Sequence, residues 1–103
     1  MEGVLIMQDV IKQLVELYGP TGREDEVAEY ITEVMRPLVD QVYADTMGNL
    51  IAIKRGPADA KKIMLAAHMD EIGVIITDID EHGFLRFSNV GGVSAFTLIG
   101  QRV

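Results

Sequence analysis

The chain has no cysteine among its 103 residues. That absence excludes a disulfide framework and any zinc site built on thiolates, so a transition metal held here would have to use histidine and carboxylates. Basic residues are also scarce, with nine Lys and Arg against sixteen Asp and Glu and a net charge of −7. The acidic excess is spread along the chain and argues against nucleic-acid partners and against an anionic membrane surface; metal cations or basic partners suit it better. No apolar run approaches the roughly 18 residues of a membrane-spanning helix. Met1-Glu2-Gly3-Val4-Leu5-Ile6-Met7 lacks the basic start and long apolar centre of a secretion signal. A cytoplasmic protein without membrane contact is the expectation. Internal repeats and low-complexity tracts are absent as well.

What is present is a globular composition, 49% hydrophobic and 24% charged. At this length the chain is one domain or part of one, expected to bury about two-thirds of its unfolded surface. From Asp9, the pairs Val10/Ile11, Leu14/Val15 and Leu17/Tyr18 recur at the spacing of one helical face, and Gly19-Pro20 stops that helix. Thr21 and Glu24 have the T-x-x-E spacing of a capping box, opening a second helix whose face runs through Val27, Ile31, Val34, Met35 and Leu38 until Pro37 ends it or bends its last turn. The period then changes. Gln41 to Ala44 and Leu50 to Lys54 read as a hairpin around Asp45-Thr46-Met47-Gly48-Asn49, with Gly48 and Asn49 supplying the positive-φ positions. Arg55 to Asp59 is a loop. Ile63 to Ala67, apolar without alternation, predicts a buried strand of a parallel sheet. Val74 to Ile79 and Phe84 to Ser88 flank Asp80-Glu81-His82-Gly83 as a second hairpin, and Gly91-Gly92 precedes a last stretch, Val93 to Val103, that reads as a continuing strand. Its uncapped end has the look of a truncation. The expected fold class is α/β, with a subdomain boundary near Gly73.

Leu65-Ala66-Ala67-His68-Met69-Asp70-Glu71-Ile72-Gly73 is the stretch that bears most on chemistry. An apolar run ends in an imidazole and two carboxylates, and ligands of open α/β sheets gather beyond the carboxyl ends of strands. In an extended segment residues two apart point the same way, so His68 and Asp70 face one side and Met69 and Glu71 the other. That arrangement suits a histidine whose second ring nitrogen is held by a carboxylate, fixing the tautomer that offers a lone pair to a metal. On these residues alone a structural histidine is the commoner case, because a site needs three or four ligands.

Three motifs in one order carry a resemblance: Gly19-Pro20-Thr21-Gly22-Arg23-Glu24 opening a helix, Asp45-x-x-Gly48-Asn49-Leu50 in a hairpin, and Ala67-His68-Met69-Asp70-Glu71-Ile72-Gly73 after a strand. Continued by Gly91-Gly92 and the closing Gly-Gln-Arg-Val, they make the chain resemble the N-terminal part of the M42 metallo-aminopeptidases, the glutamyl and deblocking aminopeptidases. The resemblance spans all 103 residues but only about the first third of a typical member. It implies that His68 binds one of two divalent metal ions, zinc or cobalt, and that Asp70 orients it. The family's bridging Asp, its Glu-Glu pair with the general base, and its further Asp and His ligands would lie beyond Val103. Residues 1–72 would open a zinc-exopeptidase-like α/β catalytic domain, and 73–103 the first strands of an inserted β-rich dimerisation domain. The implied reaction removes N-terminal residues from peptides, with a metal-activated water and a glutamate that moves the proton to the leaving amine. Homo-oligomers follow too, dimers assembling into dodecameric cages. With one ligand, this chain alone would hold little or no metal and be inactive.

Several residues carry blander expectations. Glu71 reads as solvated or salt-bridged, His82 as exposed turn material, and Asp45 as a turn residue whose loop, by the family pattern, supports the floor of the site. The glycine-rich stretches lack the form of a phosphate-binding loop. Two rival functions stand beside the peptidase: a noncatalytic module that self-associates through an unfinished β-edge, and a glycoside hydrolase, because some relatives carry a glucanase label. The latter needs two carboxyl groups facing each other across a sugar, whereas Asp70 and Glu71 diverge.

Overall fold

The structure is a computed structural model that describes residues 7–102. Along the chain run α1 (Met7–Glu16), α2 (Asp25–Met35), β1 (Gln41–Ala44), β2 (Leu50–Ile53), β3 (Gly73–Ile79), β4 (Leu85–Val90) and α3 (Ala95–Leu98). The class is α/β, with two antiparallel two-stranded sheets, β1–β2 and β3–β4. The reading of Met1 to Ile6, and Val103 at the chain's end, lie outside the described residues.

Both helices follow their apolar spacing. On α2, Val27 is buried and Ile31, Val34 and Met35 are half-buried, as the sequence predicts, and α2 packs on both strands of β1–β2; Leu38, expected on the same face, lies past the helix end and is exposed. The capping box does not form. Glu24 sits at the N-cap with no side-chain capping bond. Its Oε1 accepts from the Gly22 N–H at 2.6 Å, and the Thr21 hydroxyl is engaged elsewhere. Asp25 and Glu26 in the first turn complement the helix dipole instead. At the other end Leu38 N–H reaches Met35 O at 2.8 Å around Pro37, which has no N–H to continue the ladder.

The first hairpin pairs Gln41 with Ile53 through Ala44 with Leu50. Asp45 closes it, its Oδ1 accepting from Met47 N–H and Asn49 N–H and its Oδ2 from the Asn49 amide, each at 2.9 Å. Gly48 takes φ +85°; Asn49, expected to share the left-handed role, does not adopt positive φ, since these side-chain bonds hold it otherwise. In the second hairpin Gly73 to Ile76 pair with Val90 to Phe87; Thr77 then stands as an extra residue before Asp78 pairs with Arg86 and Ile79 with Leu85. Paired residues share a face, so Val74, Ile76 and Ile79 lie with Leu85 and Phe87 on one side, and Ile75 and Asp78 with Ser88 and Arg86 on the other.

Two expected strands are absent. Lys61 to Asp70 has no regular structure, and Ile63, Met64 and Leu65 are 85–94% exposed. A parallel-sheet strand requires neighbours on its edges and layers on its faces, and among the described residues no strand pairs with Ile63–Ala67. The stretch after Gly91-Gly92 forms the single turn α3 rather than a strand; Thr97 N–H bonds to Ser94 O at 3.0 Å and Gln101 N–H to Leu98 O at 3.1 Å, local bonds that serve backbone groups with no adjacent strand.

Burial falls well short of the expectation for this length. The accessible surface is 9435 Å², against about 5,700 Å² for a compact chain of this size. The radius of gyration is 18.4 Å, where compaction would give about 13 Å. Val27, at 5% exposure, is the buried hydrophobic side chain of the core, while large apolar side chains on both hairpins and on Ile63–Leu65 face solvent. Among the described residues no helix is long and apolar enough to cross a membrane.

Candidate metal centre

The loop that ends α1 and the segment that leads into β3 meet at one place. Glu71 N–H donates to Gly19 O at 2.8 Å, and Gly19 N–H donates back to Glu71 Oε1 at 3.2 Å. Pro20 and Glu71 thereby form an isolated parallel bridge. Glycine is required at position 19 by its packing against α2, where a Cβ would lie 2.5 Å from Cγ2 of the buried Val27. One residue further on, Thr21 Oγ1 donates to Asp70 Oδ2 at 2.6 Å. The other oxygen of the same carboxylate, Oδ1, lies 2.9 Å from His68 Nδ1.

The imidazole's protonation pattern follows from its partners. Nδ1 faces Asp70 Oδ1 and also the Asp70 carbonyl oxygen at 3.1 Å. Both are acceptors, so Nδ1 carries the hydrogen and Nε2 keeps the lone pair. The His68 side chain is 85% exposed, leaving Nε2 accessible. Asp70 stays ionised to lower pH than an ordinary aspartate: the hydrogen bond from Thr21 contributes most, then that from His68, against a smaller opposing desolvation. This is the usual geometry of a metal-binding histidine held by a carboxylate. Among the described residues no group of three or more His, Asp or Glu side chains could hold a metal ion, so the site here consists of one available imidazole nitrogen and its supporting carboxylate.

The pairing of His68 with Asp70 is as the two-residue spacing predicts. Glu71 does more than its expectation. Its side chain is exposed, as expected, but one oxygen also takes a long-range bond, Oε1 accepting from Gly19 N–H at 3.2 Å. His82 is an exposed turn residue whose N–H donates to Asp80 Oδ1 at 2.9 Å. Asp45 is a turn residue, its carboxyl held below the ordinary range chiefly by the Asn49 side chain and then by backbone N–H groups. Sequence reasoning missed Thr21 and Glu71 as partners of this region. They lie 49 and 52 residues from the groups they bind, a separation at which local spacing carries no signal.

Residues 48–103 match the family described as M42 glutamyl aminopeptidase. A protein from Acetivibrio thermocellus, provisionally named an aminopeptidase, is 55% identical over 97 residues, covering 94% of this chain and 29% of that relative. Among solved structures, an aminopeptidase from the archaeon Desulfurococcus kamchatkensis superposes with a TM-score of 0.82 at 44% identity, over 87% of this chain and 25% of its own. A Thermotoga maritima protein described as an endoglucanase gives a TM-score of 0.71 at 43% identity, over 80% of this chain and 26% of its own. The chain thus spans between a quarter and a third of the length of these proteins.

Proposed function

Since this chain belongs to the M42 glutamyl aminopeptidase family, we propose that the complete protein is a metal-dependent aminopeptidase to which this segment supplies one metal ligand, His68, and its orienting carboxylate, Asp70. The observation that carries this reading is the direction of the imidazole: Nδ1 is engaged by Asp70, and Nε2 is exposed with its lone pair free. Two divalent ions, zinc or cobalt, would supply Lewis acidity, activating a water at neutral pH and polarising the first peptide carbonyl. Within that chemistry His68 offers Nε2, and Asp70 holds the ring in the tautomer that makes the offer. The remaining ligands and the general base come from residues beyond this segment, so the 103 residues alone bind metal weakly and do not hydrolyse peptides.

Residues 1–72 then belong to the catalytic α/β domain and 73–103 to the opening of a β-rich dimerisation part, in a cytoplasmic homo-oligomer that acts on peptides. The apolar side of β3–β4 supports this, because Ile76, Ile79, Leu85 and Phe87 are each half or more exposed on one face. The test is to compare the complete protein with its His68→Ala variant, measuring bound metal per chain and release of N-terminal residues from a peptide. The expected outcome is loss of one of the two ions and a rate lower by at least about a hundredfold. Full metal content and unchanged rate in the variant would overturn the assignment.

The endoglucanase description of one structural relative keeps a glycoside hydrolase in view. The carboxylates here favour it little: Asp70 is bonded to Thr21 and His68, and Glu71 to Gly19, so neither faces the other across an open sugar site. Release of reducing sugar from cellulose, lost with Asp70→Ala, would reverse that preference. The exposed apolar residues also support self-association of the segment when separated from the rest, which light scattering would refute by finding a monodisperse monomer.

A further inference from the structure

The geometry points to Thr21 as a positioning residue for the metal site: its hydroxyl fixes the Asp70 carboxylate, which in turn fixes His68. The inference rests on the proposed metal-binding role of His68. The two oxygens of Asp70 have separate partners, Oδ2 taking the Thr21 hydroxyl hydrogen at 2.6 Å and Oδ1 facing His68 Nδ1 at 2.9 Å. A carboxylate held by one oxygen alone can rotate about its terminal torsion, which is broad and roughly two-fold. Held by both, it presents Oδ1 to the imidazole in one orientation.

Thr21 can do this because its own loop is tied at several points. Arg23 N–H bonds to Pro20 O at 2.8 Å, closing a tight turn over Pro20 to Arg23, and Gly22 in that turn has φ +84°. Glu24 takes the Gly22 N–H, and the two bonds between Gly19 and Glu71 hold the loop against the segment that carries Asp70. The N-terminus of α2 and the imidazole are therefore joined in sequence through a hydroxyl and a carboxylate. Thr21 has no helix-capping role, since Glu24 holds the N-cap position and no side chain caps α2.

The experiment measures zinc affinity of the metal-free complete protein by competition with a chromophoric chelator, for wild type, Thr21→Val, Thr21→Ser, Asp70→Ala, His68→Ala and the Thr21→Val/Asp70→Ala pair. Thr21→Val keeps the shape and removes the hydroxyl, and it is expected to weaken zinc by about tenfold, with Thr21→Ser within about twofold of wild type, in line with the losses that follow removal of supporting partners at metal sites. In the Asp70→Ala background Thr21→Val should add nothing, because Thr21 acts through that carboxylate. Melting temperatures of metal-free Thr21→Val and Thr21→Ser should both match that of the metal-free wild type. Wild-type zinc affinity in Thr21→Val beside a clear loss in His68→Ala overturns the inference while leaving the metal reading intact. Unchanged affinity in His68→Ala overturns the metal reading, and this inference with it. Full additivity with Asp70→Ala, or equal loss of metal-free stability in Thr21→Val and Thr21→Ser, marks a structural role and overturns it too.

Discussion

Asp45-Thr46-Met47-Gly48-Asn49 and Asp80-Glu81-His82-Gly83-Phe84 close their hairpins with the same backbone bonds, yet their strands have different surroundings. In each, the first Asp N–H reaches the fifth carbonyl at 3.0 Å, the glycine N–H returns to the Asp carbonyl, and one carboxylate oxygen accepts from the third and fifth N–H groups. The glycines adopt φ +85° and +84°. Beyond the turn the likeness ends. β1–β2 lies against the eleven-residue α2, and Val42, Leu50, Ile51 and Ile53 are half-buried. On β3–β4, Ile75, Ile76, Ile79, Leu85 and Phe87 are 50–63% exposed, and the four-residue α3 offers little cover: its Leu98, with Gln101 after the helix, lines a depression with Val74, Leu85 and Phe87. A turn can thus fix a hairpin's pairing by local chemistry while leaving open what covers its faces.

The largest expected effect tests the cover. In the 103-residue chain Val27→Ala, which removes two methyl groups from the buried position on α2, should cost about 2 kcal/mol. Phe87→Ala, at a half-exposed position, should cost about 1 kcal/mol or less. Amide hydrogen exchange in β1–β2 and β3–β4 reads both, and equal costs would show that β3–β4 is covered in solution after all. Next come the turns. Gly48→Ala and Gly83→Ala should each cost about 1 kcal/mol, because both force a Cβ into the left-handed region; chemical denaturation giving clearly unequal costs would break the equivalence drawn between them.

The smallest effect concerns acid. Asp45 accepts one bond more than Asp80, from the Asn49 side-chain amide, and its carboxyl titrates below its ordinary 3.8. A depressed carboxyl contributes stability above its unfolded value and loses that contribution as pH falls through the folded one. The Met47 and Asn49 amides should therefore keep their protection at pH 4 and lose it only at lower pH. Loss of protection in step with an unperturbed aspartate would contradict this.

Much of the fold was legible because it is local. The apolar spacing of Val27, Ile31, Val34 and Met35, and both Asp-to-Gly turns, depend on residues within a few positions of one another. Ile63–Ala67 is not legible in this way because an apolar run becomes a strand only with partners, nor is Ala95–Leu98, because a stretch without such partners satisfies its backbone within one turn. At the site, His68 and Asp70 are two residues apart and could be paired from spacing alone. Thr21 could not, since a hydroxyl three residues before a glutamate at a helix start has an obvious local role, and only the folded chain reveals that Glu24 takes the N-cap while Thr21 donates to Asp70.

Thr77 bears on how the second hairpin tolerates change. Read as a plain alternating strand, Ile79 would fall on the side opposite Ile76, and the apolar residues would be split between two faces. As the surplus residue of the bulge, Thr77 lies outside the pairing, and the ladder resumes with Asp78 opposite Arg86 as though one letter had been skipped. The strand's effective reading frame is therefore shorter by one than its length. A chain lacking Thr77 would keep every existing pair, from Gly73–Val90 to Ile79–Leu85, whereas loss of any paired residue would shift all those between it and the turn. Length variation in this hairpin has one silent position, and the sequence carries it already filled.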